Sequence, residues 1–172
     1  MTLRHCRHTW IRRAGLAGLG LLCALPLMAQ TLTDTFVVRM EIQGSCVVLN
    51  ASDIDFGTGA AMPGQKEMSG TIRLQCTKDL PFTVGLDGGR TTGDVNARAM
   101  EGADGVRIPY TLSRDSATGP NWGNDSSSAA SGVGAGLGSA HEIALTVHAK
   151  VDVNGDEPAG QYADTVTVTL SY

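Results

Sequence analysis

Hydrophobic and polar residues alternate with a period of two along much of this chain. In "FVVRMEI" at 36–42, Phe36, Val38, Met40 and Ile42 fall on one side and Val37, Arg39 and Glu41 on the other. This is the pattern of a β-strand with one buried face. Similar short runs recur as "CVVLN" at 46–50, "TIRLQC" at 71–76, "FTVGL" at 82–86, "VRIPYTLS" at 106–113, "HEIALTVHAKV" at 141–151 and "DTVTVTLSY" at 164–172. Turn-forming clusters such as "NASD", "GTGAAMPGQ", "DGG" and "NGDEPAG" separate them. No segment sustains a 3.6-residue period over two turns, so little helix is expected. These seven runs predict an all-β chain folded as an antiparallel β-sandwich, with an immunoglobulin-like arrangement leading.

The two ends of the pattern differ from its middle. In the last run Val166, Val168 and Leu170 face one way, and Thr165, Thr167, Thr169 and Ser171 the other, up to the final residue Tyr172. No residues follow to supply a further strand. The first run hangs from one end of the chain, so its apolar face needs a core to cover. Residues 119–140, "GPNWGNDSSSAASGVGAGLGSA", are dominated by Gly and Ser and predict a long loop between two strands. Trp122 within it reads either as a lid folded on the sandwich edge or as a platform for a sugar.

The first 29 residues stand outside this pattern. Arg4, Arg7, Arg12 and Arg13 precede the apolar run "AGLAGLGLLCALPL", and Ala29 offers a small residue for cleavage, which together describe a secretory signal peptide. The apolar run is shorter than the roughly 20 residues of a membrane-spanning helix. Leu27, three residues before the cut, leaves its place open by a few residues. Cleavage there removes four of the 13 basic residues and none of the 17 acidic ones, which leaves a net charge of −8 with histidines neutral. An acidic chain without basic clusters excludes nucleic acid and anionic membrane as expected partners. Cys46 and Cys76 are the cysteines that stay. An even count in an exported chain reads as one disulfide, with a metal site as the weaker alternative.

The search for catalytic chemistry finds little. There is no GxSxG, HExxH or SxxK, and "GVGAGLG" lacks the spacing and βα context of a phosphate-binding loop. His141 and His148 lie at an odd spacing in one expected strand, hence on opposite faces. Asp53 with Asp55, and Asp152, Asp156 and Glu157 of "DVNGDE", are explained by turn chemistry, since the EF-hand pattern is missing. No catalytic residue, metal ligand or cofactor is expected.

Eight short motifs nonetheless occur in a telling order: "GSC" at 44–46, "IDFG" at 54–57, "IRLQC" at 72–76, "LDGG" at 86–89, "ARAM" at 97–100, "IPYTLSRD" at 108–115, "NWG" at 121–123 and "PAGQYADTVTVTLSY" at 158–172. In this order they resemble the spore coat protein U domain family, which includes subunits of archaic, Csu-type chaperone-usher pili. The resemblance implies an immunoglobulin-like sandwich that lacks its last strand. An N-terminal strand from the next subunit then completes it by donor-strand exchange. It divides the chain into a signal peptide at 1–29, a donor extension at 30–43 and a sandwich domain at 44–172. Phe36, Val38, Met40 and Ile42 would be the donor face. Cys46 and Cys76 would be the family's disulfide. Val166, Val168, Leu170 and Tyr172 would form the terminal strand that pairs with a periplasmic chaperone before an outer-membrane usher passes the subunit on. Asp55, Phe56 and Gly57 would make a core-anchored turn, and Tyr162 with Asp164 a corner into the last strand. With one domain, the chain fits a shaft or adaptor position better than a two-domain tip.

The expected function is therefore a structural one: a subunit exported through the periplasm to the cell surface, polymerised with its neighbours for attachment and biofilm formation. The competing reading is a self-complemented binding module, in which residues 31–42 fold back into the chain's own sheet and the loops recognise a surface. An enzyme ranks third, for want of a catalytic constellation.

Overall fold

The computed structural model describes residues 29–59 and 63–172. The signal-peptide expectation for 1–29 falls almost entirely outside them. The chain divides into two units, Met1–Met40 and Glu41–Tyr172.

In the larger unit the alternating runs form strands: β1 (Cys46–Ala51), β2 (Gly64–Cys76), β3 (Pro81–Leu86), β4 (Ala99–Glu101), β5 (Arg107–Ser113), β6 (Ala130–Val133), β7 (Ile143–Val153) and β8 (Val168–Ser171). Among the described residues, helix is confined to one turn, α1 (Gly89–Thr92), and a 3-10 turn at Ser139–His141. One antiparallel sheet has the order β1-β2-β7-β5-β4 and the other β6-β3-β8. The inner faces are those the alternation marks. Ile72 and Leu74 of β2, Val147, Ala149 and Val151 of β7, and Ile108, Tyr110 and Leu112 of β5 meet Phe82, Val84 and Leu86 of β3 in one buried cluster. The fold is the expected two-sheet antiparallel sandwich.

β2 and β7 are longer than their apolar runs suggest. They pair without a break from Gly64 opposite Val153 to Leu74 opposite Ile143, because a long partner carries polar residues into the ladder through main-chain hydrogen bonds alone. β1 pairs with β2 from Cys46 opposite Cys76 to Ala51 opposite Ile72, with a bulge between Val48 and Asn50. The disulfide joins that first cross-strand pair, Cys46 to Cys76, closing a span of 30 residues.

The expected long loop at 119–140 is corrected. Ala130–Val133 is β6, which pairs with β3, and Trp122 is 1% exposed, inside the core rather than a lid or a platform. The Trp122 N–H donates to the Leu112 carbonyl at 2.7 Å and its indole N–H to the Val84 carbonyl at 2.8 Å, so one residue ties the two sheets together. Glycine makes the approach possible. A Cβ on Gly85 would stand 2.8 Å from the Asn124 Cα, so Gly85 lets this segment lie on β3. The histidines also separate: His141 ends the 3-10 turn, and His148 lies on β7 opposite Ser69 and Ser113.

Candidate functional site

The sandwich is open along one side. β1 ends the five-stranded sheet and β8 ends the three-stranded one, so each offers an edge with no strand beyond it among the described residues. Beside these edges, between the segment that follows β1 (Ala51 to Phe56) and the one that leads into β8 (Tyr162 to Val168), lies a cavity of 440 Å³ whose floor includes Ile72, Leu86, Leu112, Val147 and Ala149. The floor is core: Ile72, Leu86 and Ala149 are each 2% exposed or less. The walls are left half covered. Val48 of β1 lies opposite the fully buried Leu74 yet is 37% exposed. Val166, Val168 and Leu170 alternate with exposed threonines as expected but are only partly buried, and Tyr172 is exposed. A strand buried on its inner face would hide these positions; here the covering layer is missing along this side.

Polar contacts fix the wall that carries β8. The Asp164 carboxylate accepts the Tyr110 hydroxyl at 2.7 Å, and the Thr91 N–H and hydroxyl at 3.1 Å each. Burial and this hydrogen bond push the Tyr110 phenol well above its ordinary value. Asp87, just past β3, accepts the Thr167 N–H at 2.9 Å and the Gly89 N–H at 3.0 Å. Burial raises the Asp87 carboxyl, but these bonds and the Arg98 charge outweigh it and hold the group below its ordinary value. Gly89, at φ 77°, leaves room where a Cβ would strike the Asp164 carboxylate. The Tyr162 hydroxyl donates to the Pro158 main-chain carbonyl four residues upstream at 2.9 Å, a corner of the kind expected there. On the opposite wall Ile54 and Phe56 pack on the core, and the Gly57 N–H donates to Asp55 at 2.7 Å.

Arg98 is the feature that sequence reading passed over. It is 1% exposed. Its Nε donates to the Asp87 carbonyl at 2.9 Å, and its Nη2 reaches the carbonyls of Leu86, Asp87 and Trp122. Burial lowers its pKa. The guanidinium thus gathers the end of β3 and the Trp122 turn around one charge, and its "ARAM" context gives no sign of that task, since the acceptors are main-chain atoms.

The smaller unit holds most of the expected donor face. Residues 30–44 are exposed and carry no regular structure, so the expected strand at 36–42 is not formed as a strand. Phe36, Val38, Met40 and Ile42 are 88%, 83%, 87% and 74% exposed. A strand needs a ladder partner for its N–H and C=O groups, and no residue of 31–42 belongs to either sheet. The expected site residues therefore do not come together: Phe36, Val38, Met40 and Ile42 are in solvent, Val166 and Val168 line the groove, Leu170 lies further along β8 with Tyr172 exposed beyond it, and Cys46 and Cys76 form the disulfide between β1 and β2.

Comparison with known proteins gives this arrangement a context. No curated protein matches the sequence. A chain in the crystal structure of the CsuC–CsuE chaperone–tip adhesion subunit pre-assembly complex, from archaic chaperone-usher Csu pili of Acinetobacter baumannii, is similar in fold, with 25% identity and a TM-score of 0.57. The match covers 76% of the present chain and 40% of that one, so the present chain spans about two fifths of its length. The spore coat protein U domain matches residues 32–169, nearly the whole span from the exposed segment to β8. By that match, over most of its length, the chain belongs to the spore coat protein U domain family.

Proposed function

We propose that this protein is a structural subunit of a chaperone-usher pilus, polymerised by insertion of its N-terminal segment into the groove of a neighbouring subunit. The observation that carries the reading is the pairing of two incomplete parts. A sandwich has a cavity with an apolar floor beside two edge strands that have no further partner among the described residues, and the same chain has an alternating apolar segment left exposed. Strand addition satisfies both. Main-chain hydrogen bonds would form along the free edges, while Phe36, Val38, Met40 and Ile42 enter the cavity. Burying such side chains stabilises by about 1.5–3 kcal/mol each, before the cost of ordering the segment.

The rest of the assembly follows from the same physics. An open groove and exposed edges invite aggregation, so in the periplasm a chaperone lends the subunit a temporary strand, which an outer-membrane usher exchanges for the next subunit's. The family and the neighbour's chaperone-bound state support this. On this reading the protein reaches the cell surface as part of a fibre serving attachment and biofilm formation.

The test is periplasmic expression of the chain with and without residues 31–42, followed by size-exclusion chromatography and SDS gels of unboiled samples. The full chain gives a ladder of SDS-resistant multimers, and the truncated chain gives none. A full-length monomer that loses its fold on truncation overturns the reading in favour of self-complementation.

A further inference from the structure

The four side chains of the donor face differ in chemistry as well as shape. Phe36, Val38 and Ile42 are hydrocarbon, whereas Met40 carries a thioether whose sulfur lone pair is open to oxidants. Met40 is 87% exposed. Met68 is 45% exposed, and Met100 packs partly buried against the core. The most exposed of these methionines is thus the one on the face that must enter an apolar cavity.

We propose that Met40 is an oxidation site that switches polymerisation off in subunits not yet assembled, an inference that rests on the donor-strand reading above. The oxidant is of the peroxide or hypohalous acid class. With hydrogen peroxide, the Met40 Sδ lone pair attacks one peroxide oxygen and the O–O bond breaks. That oxygen stays on sulfur, and the other leaves as water with both protons. Sulfur gives up two electrons to become a sulfoxide, and the peroxide is reduced by the same two.

The product no longer suits its place. A sulfoxide oxygen is a strong hydrogen-bond acceptor, and the floor of the groove, Ile72, Leu86, Leu112, Val147 and Ala149, offers it no side-chain donor; of the hydroxyls that also line the groove, those of Tyr110 and Tyr162 already donate to Asp164 and Pro158, which leaves Ser52 and Thr165. A buried acceptor without a partner is costly. Oxidation at Val37, Arg39 or Glu41 is not available chemically, so Met40 is where an oxidant acts on this segment. After insertion the sulfur is covered by the neighbour, so finished polymer is protected. The device acts before assembly and is reversible by methionine sulfoxide reductase.

The experiment refolds full-length chain from denaturant with its disulfide intact and follows the SDS-resistant ladder, with peroxide added either before refolding or after the ladder has formed. Peptide mapping reports the sulfoxide content of Met40. Peroxide added first is expected to lower multimer yield on the order of tenfold, in keeping with a buried unpaired polar group. Reductase restores the yield, and peroxide added last leaves Met40 reduced. A Met40→Leu variant keeps Met62, Met68 and Met100 oxidisable, and whatever its own starting yield, that yield is expected to be the same with and without peroxide. The proposal is overturned if Met40→Leu loses its ladder to the same degree as the parent, or if chain mapped as Met40 sulfoxide polymerises normally. A second measurement does not depend on refolding yield: a labelled synthetic peptide of residues 31–43 with methionine at position 40 enters full-length chain, and the sulfoxide peptide does not. Equal entry of both peptides sinks the proposal but leaves the donor-strand reading in place. Entry of neither, with an unoxidised chain lacking 31–42 that still forms multimers, sinks both.

Discussion

Asp87 joins the end of β3 to the segment leading into β8, and its ionisation makes that joint sensitive to acid. The Thr167 and Gly89 N–H groups donate to the charged carboxylate, and its folded pKa lies below the ordinary 3.8. A carboxyl shifted in this direction stabilises the fold above its unfolded value, and the contribution disappears as pH falls through the folded value. Stability in urea should therefore fall as the pH is lowered past the ordinary carboxylate value of 3.8 toward the lower folded value. In Asp87→Asn the amide binds no proton there, so the slope over that window becomes shallower while stability at neutral pH is lower than the parent's. An unchanged slope would mean that Asp87 does not carry the acid sensitivity. Arg98 and Trp122 show the limit of reading single residues. Nothing in their sequence neighbours distinguishes a buried guanidinium from a surface one, or a core indole from a loop indole. Their roles come from carbonyls of β3 and β5 that are distant in sequence and adjacent only in the fold.

At the scale of elements, period two did most of the work. The strands at 46–51, 81–86 and 107–113 follow their apolar runs closely, since on a half-buried strand the burial pattern is the sequence pattern. Two strands escaped. β4 has three residues and β6 reads "ASGV", too short and too small in side chain to leave a period. They exist because β5 and β3 offer free edges to pair with. The opposite happens at 36–42, where a strong period forms no strand because no edge is supplied. That contrast predicts the effect of a charge on each face. Val38→Asp puts a carboxylate on the face meant for the groove and should abolish the SDS-resistant ladder. Val37→Asp puts it on the solvent side and should leave the ladder near parent level. A one-residue slip would exchange the two faces, so equal losses in the two variants would mean the register is not the one inferred here.

At the scale of the molecule, the disulfide connects stability to assembly. It holds β1, one wall of the groove, to β2 in the core. Closing a span of 30 residues contributes about 3.5 kcal/mol in the chain-entropy model. Replacing both Cys46 and Cys76 by alanine should lower the urea midpoint by a corresponding amount. It should also weaken the chain as an acceptor while sparing it as a donor. Mixing tagged variant with parent chain and reading which partner contributes the groove would separate these effects. A variant equally poor in both roles would point to global unfolding instead.

The sequence by itself determined the all-β class, the inner face of most strands, the cysteine pair and the alternating face of residues 36–42. These are local or compositional properties, set by a side-chain period that each segment carries alone. Only the tertiary structure decided which edges stay unpaired, how Trp122 and Arg98 enter the core, and where β4, β6 and the open groove lie. Those depend on which main-chain edges and carbonyls remain after distant strands have paired. No period along the chain records that outcome.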